Sequence, residues 1–133
     1  MSVLVDTSVW SLALRRRGAK RNDATLQLES LIRDGRVRMI GPIRQEILSG
    51  IKEAPHFTRL AAELRHFPDL ALDEQDYEQA ARFYNQCRTH GVQGSNTDFL
   101  ICAAAHRRKL AVFTTDKDFT LFARWVPVTL HKG

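Results

Sequence analysis

A chain of 133 residues with 44% hydrophobic residues is long enough to bury a substantial core as one domain, and it leaves no room for a second. Lys and Arg outnumber Asp and Glu by 20 to 15, and the formal net charge of +5 favours an acidic or polyanionic partner. The sequence has no signal-peptide pattern and no apolar run of membrane length, so we expect a soluble cytoplasmic protein that does not enter a membrane.

The two cysteines, Cys87 and Cys102, both fall in apolar helical patterns. This context is typical of buried free thiols, so we expect both side chains in the core of a protein from a reducing compartment. Cys102 and His106 are four residues apart on one predicted helix, but two ligands without a third do not make a zinc site.

The first predicted strand ends at an acid. Val3 to Val5 predict a central strand buried on both faces, because three consecutive aliphatic residues leave no side for solvent. Asp6, Thr7 and Ser8 then supply oxygen-bearing side chains where a helix can begin. Asp6 would stand at the carboxyl end of the strand, where open α/β sheets bind their ligands. It is therefore either a helix N-cap or part of a site.

Apolar residues over 9–14 predict a short helix that ends before Gly18. The densest basic cluster of the chain adjoins the end of this helix. Such a cluster either follows a phosphate backbone or is a solvated helix end that the helix dipole favours. The cluster consists of Arg15, Arg16, Arg17, Lys20 and Arg21.

A second helix and a second strand are predicted next. Asn22 or Asp23 would cap the helix, and Gly35 lies just past its end. Residues 37–40 predict the strand. The inward-facing residues of the helix would be Leu28, Leu31 and Ile32.

Gly41-Pro42 predicts a helix that runs to Gly50, because proline is favoured at the first helical position. Glu46 falls in its second turn, near the carboxyl end of the second strand. Glu46 lies beside the buried stripe marked by Ile43 and Ile47, although ordinary solvent exposure is the other interpretation.

Three further segments separate this helix from the next acid of interest. Residues 55–65 predict a helix, and residues 70–72 predict a brief extended piece. A long helix then opens with the acids of segment 73–76, whose place in the first turn the helix dipole explains, and it closes at Gly91.

A strongly apolar helix follows the loop at 92–95. Asn96 would cap it, and the small and apolar residues over 99–105 predict that it is buried. Asp98 stands in its first turn. An acid at that place either matches the helix dipole or faces into a site.

The last part of the chain repeats the pattern of the first strand, in which an acid follows a short apolar run. Residues 111–114 predict a strand that ends in Thr115-Asp116-Lys117-Asp118. A short helix over 119–122 covers it. Residues 126–130 predict a final strand at the edge of the sheet, because the proline within it cannot donate a ladder hydrogen bond.

The alternation of strands and helices with short turns predicts a parallel sheet flanked by helices, with right-handed crossovers. Four acids would then meet at one edge, two after strands and two in the opening turns of helices. Clustered carboxylates raise one another's pKa unless a cation binds, and an all-oxygen set of ligands suits Mg²⁺ or Mn²⁺ rather than zinc. Such a site predicts phosphoester chemistry, with nucleic acid as the natural substrate of a basic protein. The four acids are Asp6, Glu46, Asp98 and Asp116.

The segments that carry these acids follow one another along nearly the whole chain. They are Leu4-Val5-Asp6-Thr7-Ser8-Val9-Trp10, Gln45-Glu46-Ile47-Leu48, Thr97-Asp98-Phe99-Leu100-Ile101-Cys102-Ala103-Ala104 and Thr114-Thr115-Asp116-Lys117-Asp118-Phe119. Each segment alone is a weak signal. Four of them in this order resemble the acidic motifs of PIN-domain ribonucleases, particularly the VapC toxins of bacterial toxin–antitoxin pairs.

The resemblance implies a single PIN domain over residues 1–133, an α/β three-layer sandwich with a central parallel sheet of four to five strands flanked by helices. It also implies an endoribonuclease that depends on Mg²⁺ or Mn²⁺. As a toxin, such an enzyme would cleave RNA, such as tRNA or rRNA, and inhibit translation. Members of this group are usually dimeric and are held inactive by a small VapB-type antitoxin.

Carried over position by position, the resemblance makes Asp6, Glu46, Asp98 and Asp116 the site acids. Asp6, Asp98 and Asp116 would hold the metal, and Glu46 could act through a water molecule. Asp118 is a second candidate for the fourth acid, ranked after Asp116 because Asp116 directly follows the strand. Thr7 and Thr115 would be hydroxyl neighbours that orient these acids or a bound water, and the basic cluster that begins at Arg15 would contact RNA.

Other classes of protein also place an acid after the first strand. A haloacid-dehalogenase-type phosphatase needs a second acid two residues further on, where this chain has Ser8. A phospho-receiver domain needs an acid pair after its first strand and a phosphorylatable Asp at the end of its third, and neither is evident. A non-catalytic PIN-like RNA-binding module is the remaining alternative, and it would retain RNA binding without metal-dependent cleavage.

Overall fold

The computed structural model describes residues 1–15 and 22–132, with only the backbone of Arg15. Within these ranges the chain forms three strands and seven helices, and none of the helices is long and apolar enough to cross a membrane. The elements are β1 (Val3–Val5), α1 (Thr7–Arg15), α2 (Asp23–Arg33), β2 (Val37–Arg38), α3 (Gly41–Ser49), α4 (Ala54–Leu64), α5 (Glu74–Thr89), α6 (Asn96–Arg107), β3 (Ala111–Phe113) and α7 (Asp118–Phe122).

The three strands form a parallel sheet in the order β2-β1-β3. β1 is central and fully buried, as its three consecutive aliphatic residues predicted. Val3 pairs with Val37 of β2 and with Ala111 of β3, so the carboxyl ends of the three strands share one edge of the sheet. The acids that follow β1 and β3 are therefore brought to the same place.

Single bridges extend the sheet where the sequence predicted further strands. Met39 pairs with Asp69 beside β2, and Val112 pairs with Leu130 beside β3, both in parallel. Residues 126–130 do not form the predicted full strand, because Pro127 has no N–H to donate and the segment bonds to β3 only through its last residues. The predicted four to five parallel strands correspond to three strands with a bridge at each edge.

α6 is the most deeply buried helix among those described. It packs against β1, β3 and α5, and every residue from Phe99 to Ala105 is buried, as predicted. Cys102 on this helix and Cys87 on α5 are both fully buried, which confirms the prediction that they belong to the core. Burial raises the pKa of both thiols, so both remain protonated at neutral pH.

The structure corrects the interpretation that the helix dipole explains the acids in the first turn of α5. Asp76 is fully buried, and its carboxylate accepts hydrogen bonds from Arg107 at 2.7 Å and Arg108 at 2.8 Å. It also accepts from the backbone N–H of Asp73, which caps the helix. The hydrogen bond from Arg108 holds the pKa of Asp76 well below its usual range. Asp76 thus ties the start of α5 to the end of α6, a role that the helix dipole does not explain.

α2 begins and ends largely as predicted. Asn22 is the N-cap, since its side chain accepts from the backbone N–H of Thr25 at 2.8 Å. Gly35, with φ of 67°, ends the helix in the left-handed conformation that glycine adopts without strain. The prediction for Ile32 is wrong: it is 38% exposed, because the buried face of the helix runs through Leu28 and Leu31.

α3, which carries Glu46, is fixed by Arg44 to the end of α4 and to the segment that follows it. Nε of Arg44 donates to Oδ1 of Asp69 at 3.0 Å, and its NH1 donates to the carbonyl of Leu64 at 3.0 Å. Its NH2 also donates to the carbonyl of Phe67. These contacts fix the orientation of α3 relative to the sheet edge where the acids lie.

Candidate metal and catalytic site

The four predicted acids line one open depression of about 650 Å³ at the carboxyl edge of the sheet. We call it the acidic depression. Its walls come from the end of β1 and the first turn of α1, from one side of α3, from the first turn of α6, and from the segment after β3. The lining residues are Asp6, Thr7, Ser8, Pro42, Gln45, Glu46, Ser49, Thr97, Asp98 and Asp116.

Asp6 is nearly buried and is held by two hydroxyl groups. Oδ2 of Asp6 accepts from Ser8 Oγ at 2.7 Å and from Thr114 Oγ1 at 2.8 Å. Thr114 reaches Asp6 because the β1–β3 ladder continues past both strands, with the N–H of Asp6 donating to the carbonyl of Phe113 at 2.8 Å. The main-chain carbonyl of Asp6, and not its carboxylate, accepts the first hydrogen bonds of α1, from Val9 and Trp10. The carboxylate is thus oriented by side chains.

Asp116 follows β3 and is fixed by its neighbours in sequence. Its Oδ1 accepts from the backbone N–H of Asp118 at 2.9 Å, and its own N–H donates to Thr114 Oγ1 at 3.0 Å. Thr114 therefore contacts both Asp6 and Asp116. Asp118 is exposed and does not line the acidic depression. Of the two candidates for the fourth acid, the depression contains Asp116.

Asp98 lies in the first turn of α6. Its carboxylate Oδ2 accepts from the backbone N–H of Ser95 at 3.0 Å, while Ser95 Oγ accepts from the N–H of Asp98 at 3.1 Å. Ser95 is therefore the N-cap, and the prediction of Asn96 is wrong by one residue. The reciprocal pair forms a capping box, which satisfies two backbone donors at the start of the helix.

Glu46 is exposed and receives a hydrogen bond from another lining residue of the depression. Thr7 Oγ1 donates to Oε1 of Glu46 at 2.7 Å. This contact links the first turn of α1 to α3, and it gives Thr7 the orienting position that the resemblance implied. Thr115 differs: its backbone N–H donates to Ser8 Oγ at 3.1 Å, and it is Thr114 whose hydroxyl meets an acid.

The four acids share a pattern of hydrogen bonds. One oxygen of each is held by the protein, and within residues 1–15 and 22–132 the other oxygen of each has no hydrogen-bond partner. In the same part of the chain, no Lys, Arg or His lies within ion-pair distance of any of the four. Each carboxylate is therefore oriented and still has an oxygen available. The held oxygens are Asp6 Oδ2, Glu46 Oε1, Asp98 Oδ2 and Asp116 Oδ1.

The electrostatics of the depression fit a cation. Burial raises the pKa of Asp98 above its usual value, and the negative charges of Asp6 and Asp116 raise it further, against the lowering effect of the hydrogen bonds from Ser95. A set of carboxylate oxygens with no sulfur or imidazole suits a hard divalent ion such as Mg²⁺ or Mn²⁺. Among the described residues, no three acidic, histidine or cysteine side chains stand close enough together to hold an ion as positioned. Mutual repulsion of the carboxylates favours this spacing.

Sequence reasoning missed three supporting residues: Ser8, Thr114 and Ser95. Ser8 and Ser95 stand two and three residues from the acids they contact, a spacing typical of local side-chain hydrogen bonds, so both could have been found. Thr114 is 108 residues from Asp6, and only the pairing of β1 with β3 brings them together. The predicted basic cluster from Arg16 to Arg21 lies outside the described residues, as does the side chain of Arg15.

Comparisons with known proteins agree with this geometry. A family model described as PIN domain matches residues 3–124. Ribonuclease VapC11 of Mycobacterium tuberculosis is 32% identical over 126 residues, 92% of each chain. The structure of FitAcB from Neisseria gonorrhoeae covers 98% of this chain and 96% of its own with a TM-score of 0.76 and 23% identity. That of VapBC2 from Rickettsia felis, bound to a promoter DNA fragment, covers 98% of each with a TM-score of 0.76 and 16% identity.

The chain therefore belongs to the PIN domain family. Within that family it is grouped with the VapC ribonucleases, since its relative of 32% identity carries that name and covers nearly the whole chain.

Proposed function

We propose that this protein is a divalent-metal-dependent endoribonuclease, the toxin of a toxin–antitoxin pair, with Asp6, Glu46, Asp98 and Asp116 as its catalytic acids. One observation carries the proposal: four carboxylates from separate parts of the chain line one depression, each with one oxygen held and the other available. A merely structural acid at a helix start would be satisfied by its cap. Among the described residues no cationic side chain pairs with these acids, and this absence, together with the free oxygens, supports a site that takes up a metal ion.

The chemistry of the site supports hydrolysis of a phosphodiester. A bound Mg²⁺ or Mn²⁺ would supply a water molecule of lowered pKa and offset negative charge on the phosphate. Asp6, Asp98 and Asp116 are the residues that would hold the ion, and Glu46 on α3 would orient a water molecule. The hydroxyls of Ser8 and Thr114 hold the carboxylate of Asp6, and that of Thr7 holds the carboxylate of Glu46, which lowers the cost of assembling the site.

Two observations support RNA as the substrate: the curated relative is named a ribonuclease, and the net charge of this chain is +5. An RNA substrate such as tRNA or rRNA implies that the protein acts in the cytoplasm and inhibits translation. A VapB-type antitoxin is supported by the solved relatives of this fold, one of which is a VapBC complex. The resemblance of the sequence supports a homodimer as well.

The proposal is tested by cleavage of labelled RNAs, including tRNA and rRNA fragments, by the purified protein in Mg²⁺, Mn²⁺ or EDTA. Asp116→Asn and Asp118→Asn form a matched pair, because the two acids are two residues apart and only Asp116 lines the acidic depression. We expect Asp116→Asn to lower cleavage by more than about 100-fold, since even supporting partners of metal ligands cost about 10- to 100-fold. Asp118→Asn should cleave like the parent.

Cleavage that continues unchanged in EDTA, or that survives Asp116→Asn, would contradict the proposal. The alternative of a non-catalytic RNA-binding module predicts RNA binding by the parent with no metal-dependent cleavage of any RNA tested.

A further inference from the structure

A second groove opens on the other side of Asp116. It has a volume of about 320 Å³, and Asp116 lines both this groove and the acidic depression. Its apolar floor includes Val112 and Leu130, where the end of the chain bridges to β3. Lys117 and Lys132 stand at its rim, and we call it the lysine groove. A strand bound across the acidic depression could therefore continue into it without leaving the protein surface.

The two lysines are available for a ligand. Both are exposed, and within the part of the chain that the structure describes neither side chain has an ion pair or a hydrogen bond. Asp116 is the one acid among the described residues that line the groove. The groove thus combines two exposed positive charges with a wall shared with the acids, which favours a negatively charged ligand that reaches both.

The register of the bridge places Lys132 near the acids. Because Val112 pairs in parallel with Leu130, Lys132 stands level with Thr114, the residue that holds Asp6. Lys117 directly follows Asp116 in the chain. Both lysines therefore lie at the carboxyl edge of the sheet. His131 adds an aromatic ring to the groove, 5.1 Å from that of Phe113.

We propose that the lysine groove binds the RNA strand on one side of the phosphodiester that is cleaved, with Lys117 and Lys132 neutralising backbone phosphates. The proposal rests on the proposed ribonuclease function. It adds a strand-binding subsite separate from the basic cluster at Arg15, and it sets the direction in which the strand leaves the acidic depression. A base or ribose would lie against the apolar floor, while the phosphates face the lysine side chains.

The test is the salt dependence of binding of a fluorescein-labelled single-stranded oligouridylate RNA, measured in EDTA so that no cleavage occurs. The double variant Lys117→Ala/Lys132→Ala is compared with Arg33→Ala/Lys109→Ala, which removes the same net charge. Arg33 ends α2 shortly before β2 and Lys109 precedes β3, so both lie towards the opposite, amino edge of the sheet. This control separates a local contact from the overall field of the protein.

We expect the double variant in the groove to reduce the slope of log affinity against log salt by about 1.4, at about 0.7 per phosphate contact on a single strand. If the groove variant and the parent bind equally at about 1 M salt, this change in slope makes the variant bind up to roughly 25-fold more weakly than the parent at about 0.1 M salt. The control should keep the slope of the parent. Equal slopes in the groove variant and the parent would overturn the proposal, as would equal reductions in the two double variants.

Failure of the proposed function has a different signature, which is that the parent protein cleaves no RNA in Mg²⁺ or Mn²⁺, whether or not it binds RNA. A parent that cleaves RNA, with an unchanged slope in the groove variant, overturns the subsite alone. Loss of antitoxin binding by the groove variant, with RNA binding unchanged, would assign the groove to the protein partner and likewise overturn the proposal.

Discussion

Asp98 and Ser95 exchange two hydrogen bonds: the carboxylate of Asp98 accepts from the N–H of Ser95 at 3.0 Å, and Ser95 Oγ accepts from the N–H of Asp98 at 3.1 Å. The exchange uses only Oδ2 of Asp98, and Asp98 also lines the acidic depression. Helix capping and membership of the site are therefore compatible. The cap orients the carboxylate that the site uses, and a variant that keeps the cap isolates the second role.

Asp98→Asn is such a variant, because the amide oxygen can still accept from Ser95. We expect cleavage to fall by more than about 100-fold, for the same reason as at Asp116. We expect the free energy of unfolding without metal to stay unchanged or rise, because the substitution removes a partly buried charge that Asp6 and Asp116 repel. Thermal melts with and without Mn²⁺, beside a cleavage assay, measure both. Survival of cleavage and of metal-induced stabilisation would leave Asp98 with its capping role alone.

The difference in stability between Asp98→Asn and the parent should depend on pH, and the raised pKa of Asp98 fixes the sign of this dependence. Because the pKa of Asp98 is raised by folding, the unfolded state loses this proton at a lower pH than the folded state. Protonated Asp98 therefore favours the folded state, and this contribution to the free energy of unfolding is lost as the pH rises above the ordinary Asp range, about pH 4. In EDTA, the stability of Asp98→Asn relative to the parent should grow above about pH 4. A difference that grows towards acid instead would contradict the assigned shift.

Local patterns in the sequence predicted most of the strands and helices of the fold. The aliphatic run of β1 and the apolar run of α6 predicted buried elements, and both are buried because neither has a polar face to turn outward. The sequence could not identify Thr114 or the role of Asp76. Both depend on contacts between elements distant in the chain, to Asp6 in one case and to Arg107 and Arg108 in the other. The charge pattern of a helix does not encode such partners.

Thr114→Val tests the hydroxyl that the structure selects over that of Thr115. Valine keeps the shape of the side chain but removes the hydrogen bond to Asp6 and the acceptor for the N–H of Asp116. We expect cleavage to fall by about 10- to 100-fold, the usual effect of losing a partner that orients a metal ligand. Thr115→Val should cost less, because the backbone of Thr115 and not its hydroxyl makes the contact with Ser8. An equal or larger loss in Thr115→Val would contradict this assignment.

Gly94→Ala tests the packing beneath the loop that carries Ser95. A Cβ at Gly94 would stand 2.5 Å from Cζ of Phe122 and 3.0 Å from Cε2 of Phe99, and both rings are buried. We expect a loss of about 1–3 kcal/mol in the free energy of unfolding, as for an overpacked core, with reduced cleavage because Ser95 shifts. Gly50→Ala is the control, since nothing lies within 4 Å of its Cβ position. Urea unfolding of both variants measures the difference, and equal stabilities would contradict it.

The carboxylate of Asp76 ties α5 to α6 through Arg107 and Arg108. Asp76→Asn keeps an acceptor for the N–H of Asp73 but leaves Arg107 and Arg108 without their shared carboxylate. Breaking a buried pair costs about 3–5 kcal/mol, and we expect about 2–3 kcal/mol because both arginines are roughly a quarter exposed. Asp69→Asn is the matched control, because its pair with Arg44 is more exposed and should contribute at most about 1 kcal/mol.

Acid should erase the difference between Asp76→Asn and the parent. Folding lowers the pKa of Asp76, so its contribution is present above the ordinary Asp range and is lost as the pH falls below about 4. The gap between the parent and Asp76→Asn should stay constant above about pH 5 and narrow below about pH 4. Urea unfolding at a series of pH values from neutrality down to about pH 2 measures the gap. A gap that is small at neutral pH, or that widens in acid, would mean that packing between α5 and α6, and not the carboxylate of Asp76, holds the two helices together.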